Sequence, residues 1–162
     1  MRSLLKALAM GLIVTAAMFG CSKKEEQKPV EAASPHGEGA KKKETVVAVP
    51  DKVKGKWKAV KIAVTDKGTN KEMVYTVAIG SEFTVPNTNM TIKVENFLPH
   101  FVMEGTTLTS QSNEPKNPAA QVRINEGGKE IFKGWLFSLY PTTHAMQHPK
   151  YGFTLVDFVP AG

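Results

Sequence analysis

Apolar and polar residues alternate along most of the chain after Val53. Val60, Ile62 and Val64 share one side of the run Trp57–Thr65, and Met73, Tyr75, Val77 and Ile79 share one side of Glu72–Ile79. A period of two puts such a set on one face of a β-strand. Asp66-Lys67-Gly68-Thr69-Asn70 supplies turn residues between the runs, so they pair as an antiparallel hairpin. Phe83-Thr84-Val85 is a short strand stopped by Pro86, and Met90, Ile92 and Val94 alternate inward after the turn at Asn87-Thr88-Asn89. Asn96–His100 reads as a bend around Pro99, Phe101-Val102-Met103 as another short strand, and the polar stretch Thr106–Pro118 as a long surface loop. Ala120–Ile124 and Glu130–Phe137 flank Asn125-Glu126-Gly127-Gly128-Lys129, a strong hairpin signal. Gly152–Val159 closes the pattern, with Phe153 and Leu155 set against Val156 and Phe158. No helical period of useful length appears after residue 20. The pattern predicts an all-β domain over 53–162, a small antiparallel β-sandwich or partly open barrel of seven or eight short strands.

The first part of the chain is different in kind. Arg2 and Lys6 precede an apolar run from Ala7 to Phe19, then Gly20 and Cys21. That is the order of a signal peptide, placed at 1–20. As a helix the run is about 20 Å long, short of the ~30 Å hydrocarbon core. Met18-Phe19-Gly20-Cys21 resembles a bacterial lipobox, with Phe19 departing from the small residue usual there. The resemblance implies lipidation of Cys21, membrane attachment by several acyl chains and a periplasm-facing envelope location. Ser22 in place of Asp favours the outer over the inner membrane. Residues 21–52 then mix Lys, Glu, Ala, Pro and Gly without an aromatic, which predicts a disordered tether after the lipidated cysteine. Its span as a flexible coil is roughly 30 Å.

Charge narrows the classes further. The chain carries 21 Lys and Arg against 15 Asp and Glu, for a net charge of +6. Lys and Glu interleave instead of gathering on one element, which argues against a nucleic-acid partner. Cys21 is the only cysteine, so a disulfide framework, a cysteine nucleophile and thiolate-ligated metal sites are excluded from the domain.

The densest stretch is Lys133–Tyr151, which holds aromatic residues, histidines and prolines together. Phe132, Gly134, Trp135, Leu136, Phe137, Pro141, His148, Pro149 and Tyr151, with Asn117-Pro118-Ala119-Ala120 before them, resemble the signature of the bacterial domain of unknown function 2155 family. The resemblance covers roughly Gly55–Pro160 and implies a small envelope β domain. It carries over no catalytic residue. Two site readings come from the residues themselves. Trp135, Tyr140 and Tyr151 could present an aromatic surface to a partner or ligand, against a plainer reading in which Trp135 and Phe137 seal the core. His144, Met146 and His148 are spaced as soft-metal ligands if a single helical turn starts at Thr142 or Thr143, a set suited to copper. The plainer reading has Met146 in the core and the histidines bonding the backbone.

No paired carboxylates, nucleophile elbow or phosphate-cradling loop is visible. The expectation is therefore a non-enzymatic, lipid-anchored binding or scaffolding module for an envelope protein, without a cofactor. A soft-metal carrier is the alternative.

Overall fold

A computed structural model describes residues 44–162. The signal peptide, Cys21 and the tether up to Lys43 lie outside the described residues. The chain forms β1 (Val46–Val47), β2 (Trp57–Asp66), β3 (Lys71–Ala78), β4 (Glu82–Thr84), β5 (Met90–Leu98), β6 (Phe101–Glu104), β7 (Thr107–Ser110), β8 (Ala119–Glu126), β9 (Lys129–Phe137) and β10 (Tyr151–Pro160). The strands make three sheets, ordered β10-β2-β3, β4-β5-β8-β9 and β1-β7-β6. The fold is all-β, and none of the sheets closes into a barrel.

The alternation seen in the sequence builds the core. Val60, Ile62, Val64, Val77, Phe153 and Leu155 come from the first sheet, and Met90, Ile92, Val94, Val122, Ile124 and Leu136 from the second. The expected hairpins form in register, with Val60 opposite Val77 and Val122 opposite Gly134. Turn chemistry fixes the first hairpin. The Gly68 and Thr69 N–H groups donate to Asp66 Oδ1 at 2.9 and 3.1 Å, and Asn70 takes φ 54°.

Three stretches differ from the sequence reading. Thr106–Pro118 is not all loop, because Thr107–Ser110 pairs with β6. Its Thr and Ser residues hide the alternation, but Leu108 and Ser110 are buried. The Ser110 hydroxyl accepts the His100 N–H at 2.9 Å and donates to the Ser112 carbonyl at 2.8 Å, which satisfies it inside. The supposed bend at Asn96–His100 is mostly strand, since β5 continues through Leu98 with a register shift between Val94 and Asn96. Finally, Glu44–Lys52 folds back onto the body although it falls within the expected tether. Val46 N–H donates to Thr106 O at 3.0 Å and Ala48 N–H to Leu108 O at 2.9 Å, making β1 a parallel partner of β7.

Candidate functional site

The period of two divides β9 between two surroundings. Phe132, Gly134 and Leu136 oppose Ile124, Val122 and Ala120 and face the core, while Trp135 and Phe137 oppose Gln121 and Ala119 on the other face. That second face is not open. The hairpin β6–β7 lies over it, and Phe101 meets Trp135 and Phe137 edge-on at 5.1 Å each. Phe101 is itself fixed. Asn117 Nδ2 donates to Phe101 O at 3.0 Å, and Phe101 N–H donates to Asn117 O at 3.0 Å. The Asn117 of the Asn-Pro-Ala-Ala run therefore holds the aromatic trio together.

Between this face and the β1-β7-β6 sheet lies a groove of about 940 Å³. Trp135, Phe137 and Phe101 make its floor, with Val47, Met103 and Leu108 beside them and Thr143 and His144 at the end formed by the crossover, the segment 138–150 between β9 and β10. Trp135, Phe137 and Phe101 are only half-buried, and Met103 is 60% exposed. The ionisable groups lining the groove are Glu44, Lys133 and His144. Arg123, next to Lys133 across the ladder, is taken up by Glu95 and Glu130 at 3.0 Å each. Lys133 forms no ion pair among the described residues.

Two signature positions acquire a physical role here. A Cβ on Gly134 would lie 2.7 Å from Phe132 Cζ and 3.2 Å from both Cε atoms. The Phe132 ring lies over the glycine, so Phe-x-Gly describes an aromatic ring closing the gap that a missing side chain leaves in a strand. His148 closes the crossover. Its Nδ1 accepts the N–H groups of Lys150 at 3.2 Å and Tyr151 at 2.9 Å, and its ring stacks on Tyr151 at 5.5 Å and 19°. Accepting twice at Nδ1 puts the neutral ring's proton on Nε2, which faces Glu126 Oε2 at 3.6 Å.

The residues singled out in the sequence thus have different surroundings. Trp135 lines the groove. Tyr140 is exposed on the crossover, and Tyr151 packs against the core under His148. His144 is not on a helical turn. It ends the turn Pro141–His144 at φ 52°, a left-handed position that His tolerates better than most residues, and it lines the groove rim. Met146 is buried in the core cluster. No group of three or more His, Cys, Asp or Glu suited to a metal occurs among the described residues. The groove walls drawn from Val47, Phe101, Met103 and Leu108 carried no signal in the sequence, because they come together only through the β1-β7-β6 sheet.

The family model described as "Uncharacterized protein conserved in bacteria (DUF2155)" matches residues 59–157, which include β9, the crossover and most of β10. No curated protein and no solved structure matches the chain.

Proposed function

We propose that this chain, which belongs to the DUF2155 family, is a non-enzymatic binding module, lipid-anchored through Cys21 and facing the periplasm. Its groove receives an extended apolar segment of another envelope protein. The observation that carries this reading is the half-buried floor of Trp135, Phe137 and Phe101 beside the exposed Met103 in a groove of about 940 Å³. Aromatic residues and Met are the types enriched where interfaces lose water, and a concave aromatic site gives a partner side chain somewhere to go. Lys133 on the rim, without a carboxylate of its own among the described residues, suits an acidic group beside the partner's apolar residues. The anchor rests on the lipobox-like Met18-Phe19-Gly20-Cys21, and Ser22 favours the outer membrane.

The test is purification from solubilised membranes of the unaltered protein, Trp135→Ser and Lys133→Glu, each checked for fold by circular dichroism. A defined envelope protein should accompany the unaltered chain. Trp135→Ser should weaken the complex by about 2 kcal/mol, some thirtyfold in Kd, as loss of a central aromatic does. Lys133→Glu should weaken it less and with a salt dependence. Equal recovery of the same protein with all three would refute the groove. Cys21→Ser tests the anchor separately and should leave the membrane pellet or accumulate unprocessed.

A further inference from the structure

We infer that β3 is a self-association edge, and that two copies of this chain join their β10-β2-β3 sheets by antiparallel pairing of β3 with β3 about Val74. The first observation is that this edge lacks the protection given to the others. Strand edges are usually kept short, charged, bulged or covered, because their unpaired backbone groups attract other strands. Among the described residues, β1 and β4 are two and three residues long, and β6 is four residues ending at Glu104. β10 has two register shifts and ends on Pro160. β9 touches β10, and the crossover between them sends Met146 into the core. In contrast, β3 touches β4 and β5, with the Tyr75 and Phe83 rings 4.9 Å apart, but it is eight residues long, pairs with β2 without a register shift and carries no charge or proline from Met73 to Ala78. Met73 and Val74 at its middle are 47% and 51% exposed.

The second observation is the backbone. Ile79 N–H donates to Lys58 O at 3.0 Å. In an antiparallel ladder the bonding residues alternate, so the odd-numbered residues of β3 bond to β2. The N–H and C=O groups of Glu72, Val74 and Thr76 then point out of the free edge. The chemistry that satisfies them is another extended backbone in the antiparallel sense.

The third observation selects a second copy as that backbone. With Val74 on the two-fold axis, Glu72 of one copy faces Thr76 of the other, and Val74 faces Val74. These are the residues whose backbone groups are free, so each pair can exchange two hydrogen bonds. On the core-side face Met73 meets Tyr75 of the other copy, a favourable thioether–aromatic contact. No like charges come opposite one another, and Lys71 and Glu72 lie away from the axis. The interface is isologous and closes as a dimer. It uses a different surface from the groove and stands or falls independently of the partner reading.

The test uses the full chain in its own membranes. Val74→Cys is oxidised and run on a non-reducing gel beside Val156→Cys, which has comparable exposure on β10 at 44%. The unaltered chain, with only Cys21, sets the background. Val74→Cys should give a disulfide-linked dimer at least tenfold above both controls. In detergent, sedimentation should find a dimer for the unaltered chain and a monomer for Val74→Lys, which places two ammonium groups on the axis. Equal cross-linking of Val74→Cys and Val156→Cys overturns the inference. So does an oligomer that survives Val74→Lys, or a chain that is monomeric throughout.

Discussion

Replacing Gly134 with alanine is the sharpest perturbation of the aromatic face. The added Cβ would sit 2.7 Å from Phe132 Cζ, where ordinary carbon contacts are about 3.5–4.0 Å. The nearest atom is the far end of a side chain, but that side chain is a rigid ring. It cannot yield by bending one bond and must swing off the strand, giving up its contact with the core. Overpacking of this kind costs about 1–3 kcal/mol. Against it stands a gain of about 0.4–1 kcal/mol from the reduced freedom of the unfolded chain when Gly becomes Ala. The net expectation is a loss of about 1–2 kcal/mol. The partner variant supplies the control. With Phe132→Ala in place the ring is gone, and Gly134→Ala should become neutral or stabilising. The two changes should therefore couple by about 2 kcal/mol, as touching side chains do. Urea unfolding followed by the fluorescence of Trp57 and Trp135 measures all four corners. If Gly134→Ala costs the same with and without the Phe132 ring, the ring-over-glycine account of the signature is wrong.

Two further predictions concern turns. His148→Ala removes an acceptor for two N–H groups and a stacked ring, and should cost about 2–3 kcal/mol. His148→Asn keeps an acceptor two and three residues upstream of those amides and should recover about half of that in the urea midpoint. The backbone N–H groups of Thr69, and then Gly68, hold the Asp66 carboxyl below its usual value of 3.8. A depressed carboxyl contributes stability above its unfolded value and loses it as pH falls through the lower folded one. Unfolding midpoints should therefore drop in acid below that usual value, and Asp66→Asn, which retains the acceptor but cannot titrate, should flatten this part of the profile.

The readable part of the fold was the part in which side chains alternate without interruption. β2, β3, β5, β8, β9 and β10 each carry a stretch in which apolar residues recur at every second position on the core side, with Gly134 as the exception in β9, so their existence followed from the residues. β7 did not, because Thr107, Thr109 and Ser110 look like loop residues until Ser110 is seen bonded inside. β1 was hidden in a stretch that is tether by composition, and its pairing with β7 is a long-range event with no local signal. The signature was legible as a pattern but not as a cause. Only in three dimensions does Gly134 become the seat of a ring, and His148 the acceptor that starts β10. For His144 and Met146 the sequence allows both a ligand reading and a plainer one with Met146 in the core. Spacing grouped them with His148 as ligands, but a left-handed turn sends His144 to the groove rim while Met146 enters the core.

The central claim is that the groove is where an envelope partner binds, and a photo-crosslinking residue at Met103 reports on it most directly. Met103 is exposed and lines the groove, while Val156, similarly accessible on β10, serves as the comparison. In intact membranes Met103 should give one discrete adduct with another envelope protein, lost when Trp135→Ser is added and not formed from Val156. An adduct that persists with Trp135→Ser, or the same product from both positions, would contradict the account.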